Sequence, residues 1–150
     1  RGGMRGNMKS DDAAVLREIQ KNTQMGMKAI DAIVPKVADD PFALHLSRQE
    51  LKYSELHNKA RQELLKGHEE EYRSTGFSDL MLKGSVHANT LLNTSTSHIA
   101  GLMIQGSNRG ITEMCKALNH HENAGNRSTE LAKELMDFEE RSIEELKKYL

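Results

Sequence analysis

The stretch STELAKELMDFEERSIEELKKY, residues 128–149, decides the fold class of this chain. The side chains that share one stripe at steps of three and four residues are Leu131, Leu135, Phe138, Ser142, Leu146 and Tyr149. This spacing is that of one face of an α-helix. Opposite charges four residues apart, such as Asp137 with Arg141, are typical of the solvated face. The stretch therefore predicts a helix from Ser128 to the end with one buried side.

The same periodicity continues toward the start of the chain. A first helix is predicted from Ser10 to Pro35, since the residue before a proline is disfavoured in the α region. Its buried face carries Leu16, Ile19, Thr23, Met27, Ile30 and Val34. Asp40-Pro41 has the chemistry of a helix start and predicts a second helix. The inward face of that helix carries Leu46, Gln49, Tyr53, Leu56, Ala60 and Leu64.

A third helix is predicted from Ser78-Asp79 through at least Gln105. Four helices of about 25 residues, each about 37 Å long at 1.5 Å per residue, would match one another in length. We therefore predict an all-α fold, an antiparallel up-down four-helix bundle, in which residues 10–150 form one domain. Residues 1–9 are predicted to be a flexible arm or a cloning remnant. Because an unbroken third helix would overhang its neighbours, it is predicted to kink or break near 105–110 and to continue briefly.

Glycines interrupt the third helix at Gly101, Gly106 and Gly110. A phosphate-binding loop is excluded because neither GxxxxGK[ST] nor GxGxxG is present. Small residues at helical spacing let a neighbouring backbone approach closely or let the helix bend. We predict helix packing at these three positions. The alternative is a break in the helix that contacts a ligand.

A layer of polar side chains is predicted near mid-helix. Its members are Thr23, Gln49, Tyr53, Ser95 and His98. Buried polar groups need hydrogen-bond partners, since each unpaired one costs roughly 1–3 kcal/mol. One interpretation is a network that fixes helix register. The other is a small polar pocket in which Gln49, Tyr53 and His98 hold a ligand.

Composition excludes several classes of function. The 21 basic and 22 acidic residues leave a net charge of −1, which gives no basic face for nucleic acid. Cys115 is the one cysteine, which is typical of a reducing compartment, so we expect a cytoplasmic location. No apolar run reaches the roughly 18 residues of a membrane span, so we expect no membrane partner. Off the main helix stripes lie the apolar residues Leu44, Leu51, Leu92 and Ile104. These apolar residues predict that the chain forms a homo-oligomer or binds a partner protein through these faces.

The segments QKNTQMGMKAIDAIVPKV, residues 20–37, and STSHIAGLMIQGSNRGI, residues 95–111, resemble uncharacterised bacterial proteins of the ferritin-like, four-helix-bundle type. The resemblance implies an antiparallel bundle, a cytoplasmic location and often a di-iron centre.

Metal ligands of the di-iron type are not found in the sequence. Such centres use a glutamate on two helices and Glu-x-x-His on the other two. None of the seven histidines follows an acidic residue by three positions, so we assign no metal ligands and no cofactor. We therefore expect a non-enzymatic helical protein that acts by binding or assembly. The alternative is a ferritin-like metal-binding or redox protein with unconventional ligands.

Overall fold

The computed structural model describes residues 8–74 and 93–150, and the regular structure of these residues is entirely helical. This confirms the all-α prediction. The four α-helices, in chain order, are α1 (Ser10–Ile33), α2 (Asp40–Lys66), α3 (Thr96–His120) and α4 (Asn126–Lys147). A single 3₁₀ turn, Val34–Lys36, follows α1. None of the described helices combines the length and the apolar character needed to cross a membrane.

The connection between α1 and α2 follows the local chemistry of the sequence. The regular helix ends at Ile33, two residues before Pro35, and the chain then passes through the 3₁₀ turn. The N-cap of α2 is Asp39, whose carboxylate accepts a 2.9 Å hydrogen bond from the backbone N–H of Phe42. The N-cap thus lies one residue before Asp40, where the sequence predicts the helix start. Pro41 occupies the first turn, where a backbone N–H is not needed for a helical hydrogen bond.

Two predictions about the third helix are wrong. Residues 93–95 are not helical, and Ser95 is the N-cap of α3, accepting a 3.2 Å hydrogen bond from the N–H of His98. A single helix running to Gln105 from Ser78, which itself lies outside the described residues, is therefore excluded. The predicted break near 105–110 is also absent, since α3 continues through these residues as one helix. Because α3 starts late, its 25 residues match the 24 of α1 and produce no overhang.

The helices share one apolar core. α1 packs mainly on α2 and α3 mainly on α4, while α1 also contacts both α3 and α4. Side chains that are at most 1% exposed come from all four helices and include Leu16, Ile19, Leu46, Leu56, Ile99, Met114, Leu131 and Leu135. Aromatic rings of α2 pack against rings of α4 and of the residues just after it. The Phe42 and Tyr149 rings lie 4.7 Å apart, and Tyr53 meets Phe138 edge-on at 5.1 Å.

The start of α1 holds the connection between α3 and α4. Asp11 accepts from the backbone N–H of Asn123 and lies 3.1 Å from Nδ1 of His121. Asp12 accepts from the N–H of Gly125, the N-cap of α4, and from the Ser128 hydroxyl. The two carboxylates at the start of α1 therefore accept hydrogen bonds from donors in the α3–α4 connection and at the start of α4.

The glycines of α3 differ in their surroundings. A Cβ added at Gly101 or Gly106 would meet no described atom within 4 Å, so the described residues give no support for close packing at these two positions, where packing stays a prediction. At Gly110 the same atom would lie 2.6 Å from Oε2 of Glu139. A further close approach occurs at Gly26 of α1, where a Cβ would lie 2.6 Å from Cε2 of Tyr53. The helix backbones thus come near their neighbours at Gly26 and Gly110.

Candidate ligand-binding site

A partly open cavity of about 340 Å³ lies between α1 and α3. Its volume falls within the range of small-molecule sites, roughly 300–1,000 Å³. Apolar side chains supply much of its wall, namely Met25, Ala29, Ile33, Leu102 and Met103. Exposed residues of α3, including Gln105 and Arg109, border the cavity at the surface, whereas Tyr53 and Glu139 border it from the core. The cavity is therefore an apolar space with polar groups at its inner end.

Glu139 of α4 is the buried acid of this inner end, with 1% of its surface exposed. Its Oε1 accepts a 3.1 Å hydrogen bond from the Asn22 amide of α1. Its Oε2 accepts a 2.9 Å hydrogen bond from the Tyr53 hydroxyl of α2. Neither donor is charged, and among the described residues Glu139 has no ion pair. The carboxyl is thus hydrogen-bonded but its charge is not neutralised.

The protonation of this group follows from its burial. Removal from water raises the pKa of Glu139 to about 7, although the hydrogen bonds from Asn22 and Tyr53 act in the opposite direction. Burial, together with the adjacent Glu139 charge, raises the pKa of Tyr53 well above 10. The phenol therefore keeps its proton and remains the donor. Near neutral pH, Glu139 is the group of this pair that gains or loses a proton.

Glycines bring the backbones of α1 and α3 close to these polar groups. Gly26 lies against the Tyr53 ring, and Gly110 lies against both carboxylate oxygens of Glu139 and the Asn22 amide. Ser107, one turn before Gly110, is 2% exposed, and its hydroxyl lies near the Tyr53 phenol, where it opposes the rise in the pKa of Tyr53. The inner end of the cavity thus contains a buried hydroxyl near Tyr53 and an acid whose charge has no counter-charge.

Charged side chains of both signs surround the outer part of the cavity. Glu18 and Lys21 come from α1, and Arg109 and Glu113 come from α3. Partial burial raises the pKa of Glu18, with the nearby Lys21 opposing this. Two acidic and two basic groups leave the outer part formally neutral, so the net charge of the lining depends on Glu139.

Of the five residues predicted to form a polar layer, Tyr53 alone borders the cavity. Thr23 is buried, but its hydroxyl donates to the Ile19 carbonyl at 2.9 Å and lies 3.0 Å from Nδ1 of His57. It therefore belongs to a separate contact between α1 and α2.

Gln49 faces a different groove, between α2 and α4. It is 3% exposed, and neither its amide oxygen nor its amide nitrogen has a partner among the described residues. His45 lies one turn away, and partial burial lowers the pKa of its imidazole.

Ser95 and His98 are exposed at the start of α3. Their predicted mid-helix position is wrong because the helix begins at Thr96. The single layer of five residues is therefore not formed.

Three residues at the inner end, Asn22, Ser107 and Glu139, were not among the predicted site residues. Glu139 carries a signal in the sequence, because it lies four residues from both Leu135 and Ile143 on the buried side of α4. A carboxylate at such a position is unusual unless it is paired. Asn22 and Ser107 are small polar residues of a kind that is common on any helix face, and they carry no comparable signal.

The donor set at Glu139 does not fit a di-iron centre. That chemistry needs carboxylates and imidazoles from four helices, whereas here the four helices supply one amide, one phenol, one hydroxyl and one carboxyl. The phenol holds its proton, and the amide turns its NH₂ toward Glu139. Within residues 8–74 and 93–150 no three His, Cys, Asp or Glu side chains are grouped so that they could hold a metal ion.

Comparisons with known proteins supply no family for this arrangement. The chain matches no protein-family model, no curated protein and no solved structure.

Proposed function

We propose that this chain is a non-enzymatic binding protein that holds a small molecule in the cavity between α1 and α3. The observation that carries the proposal is a buried acid, Glu139, which has no ion pair among the described residues and lies at the inner end of an apolar space of about 340 Å³. Apolar walls with a few convergent polar groups are typical of ligand sites. Much of the described lining is apolar and its few polar groups meet at the inner end, which favours binding.

The proposal includes the finer form of the fold, a four-helix bundle of the ferritin-like type. Arg17, early in α1, forms a 2.9 Å ion pair with Glu69, just beyond α2, and Asp11 meets His121 at the end of α3, so α1 runs antiparallel to both α2 and α3. These contacts do not fit the strictly alternating up-down order of the prediction, but they do fit a ferritin-like order, which has one crossover connection. Sites in the interior of such bundles are built from facing helices, as Asn22, Tyr53 and Glu139 are here.

A neutral molecule with an apolar body, 2-phenylethanol, is expected to enter the cavity. Methyl NMR of ¹³C-labelled methionines is the measurement. The Met25 and Met103 signals should shift with probe concentration, since both residues line the cavity. Met114 is fully buried and is not part of the lining, so its signal should stay in place.

Gly106 and Gly101 provide a matched pair of control variants. A Cβ at either position would meet no described atom within 4 Å, but of the two only Gly106 borders the cavity. Gly106→Phe should obstruct the cavity and weaken probe binding, whereas Gly101→Phe should leave it unchanged. Equal binding by both variants, or probe shifts spread evenly over all methionines, would contradict the assignment of the site.

Self-association also stays a prediction. Leu44 and Leu51 of α2 are 51% and 71% exposed, and Leu65 on the same helix is 59% exposed. Ile104 instead packs against the core, and Leu92 lies outside the described residues. Exposed leucines seven residues apart lie near one another along a helix and suit a helical partner, including a second copy.

The alternative metal-handling function has no support from the donor set at Glu139.

A further inference from the structure

The acid at the inner end of the cavity has unused capacity to bind a ligand. A carboxylate offers about four acceptor positions, and Glu139 receives one hydrogen bond on each oxygen. Both donors are neutral, so the ionised form of Glu139 would be a buried charge without a counter-charge. Such a charge is costly unless an opposite charge accompanies it. A cation brought by a ligand would supply both the missing donor and the missing charge.

From this geometry we infer that the ligand is an organic cation, with an ammonium group that binds Glu139 and an apolar body that fills the space between α1 and α3. This inference rests on the proposed binding function and specifies its ligand class. The methionine and aliphatic side chains of the wall suit a hydrocarbon or aromatic body. The Tyr53 ring borders the same space, and aromatic faces attract ammonium groups.

The charges of the outer cavity are consistent with this ligand class. Glu18 and Glu113 balance Lys21 and Arg109 there, so ionised Glu139 makes the whole lining negative by one charge. An anionic ligand would place its charge in a cavity whose inner acid has no counter-ion. It would also have to be held by the outer Lys21 and Arg109, leaving Glu139 uncompensated.

The titration of Glu139 adds support. The groups that face its carboxyl are Asn22 from α1, Tyr53 from α2, and Gly110 from α3, while Glu18, Lys21, Arg109 and Glu113 are the charged residues of the lining. Because the pKa of Glu139 is about 7, the acid can ionise when a cation arrives and can be protonated when the cavity holds none. Binding of an ammonium ion should therefore favour the ionised form and release protons.

Three probes with similar bodies test the ligand class by titration calorimetry at pH 7.5, namely 2-phenylethylammonium, 2-phenylethanol and 3-phenylpropanoate. The wild-type protein should bind the ammonium probe at least about tenfold more tightly than the other two. In Glu139→Gln the ammonium affinity should fall by about tenfold or more, while that of the alcohol stays similar. Glu113→Gln, which removes a carboxylate of the outer cavity, should change the ammonium affinity by less than about threefold.

A second measurement keeps the test decisive if Glu139→Gln folds poorly. In the wild-type protein the affinity for 2-phenylethylammonium should decrease as the pH falls below about 7, while the affinity for 2-phenylethanol should not. If 3-phenylpropanoate bound most tightly of the three probes and Arg109→Ala abolished that binding, the inferred ligand class would be overturned, while the proposed binding function would stand. Equal affinity for ammonium and alcohol would also overturn it. Failure of all three probes to bind would refute the inference and the proposed function together.

Discussion

Glu139→Gln is expected to become more stable than the wild-type protein as the pH rises from 5 to 8. The pKa of Glu139 is about 7 in the folded protein and about 4.3 in an unfolded chain. A raised folded-state pKa contributes stability that is fully present below the unfolded value and is lost as the pH rises through the folded value. The wild type should therefore lose roughly 3 kcal/mol relative to Glu139→Gln across this range.

Urea unfolding of both proteins at pH 5, 6, 7 and 8 measures this effect. Other groups with shifted pKa values, such as Glu18, His45 and His57, are present in both proteins and cancel in the difference. A difference in unfolding free energy that is the same at pH 5 and pH 8 would show that Glu139 is not the buried acid described here.

Glu134 provides a matched control on the same helix. Partial burial would raise the pKa of Glu134, but hydrogen bonds and charges from Lys52 and Lys59 outweigh it and lower the pKa. A lowered pKa contributes stability that is lost only as the pH falls through that low value. The difference between Glu134→Gln and the wild type should therefore stay nearly flat between pH 5 and 8.

Gly26→Ala is expected to destabilise the protein even though alanine is the better helix former. The added Cβ would lie 2.6–2.9 Å from three atoms of the Tyr53 ring. That ring is buried, packs edge-on against Phe138 and donates to Glu139, so it cannot move away freely. Overpacking costs about 1–3 kcal/mol, against about 1 kcal/mol gained in helix propensity. We expect a net loss of up to about 2 kcal/mol in urea unfolding.

The same substitution at Gly101 and Gly106 gives the opposite expectation. Neither position has a described atom within 4 Å of the new Cβ, so each alanine should add about 0.5–1 kcal/mol through helix propensity. A gain at Gly26 equal to that at Gly106 would mean that Tyr53 does not lie against α1.

The helices could largely be predicted from the sequence because their signals are local. Steps of three and four residues reveal a buried face, and Pro35 and the Asp40-Pro41 pair mark boundaries within a residue or two. The start of α3 was missed because Ser95 follows Leu92-Asn93-Thr94, and small polar residues are tolerated within a helix as well as at its cap. Placing the start too early then produced the false expectation of a break near Gly106.

The site was predicted only in part because it depends on contacts between distant residues. Tyr53 was identified from its place on the inward face of α2. Glu139 was overlooked because α4 is rich in acidic side chains that read as a solvated face. Its partner Asn22 is 117 positions away in the chain, and no periodicity reveals that they meet. Nor can spacing show that Gly26, not Gly106, is the glycine that faces a neighbouring ring.

The most direct test of the account is the titration of the Glu139 side-chain carboxyl by ¹³C NMR, assigned with Glu139→Gln. In the protein alone the carboxyl should titrate with a pKa of about 7. With saturating 2-phenylethylammonium the midpoint should move to lower pH, because the bound cation favours the ionised acid. Titration near the ordinary value of about 4.3, or a midpoint that the ammonium probe leaves unchanged, would contradict a buried acid that receives a cationic ligand.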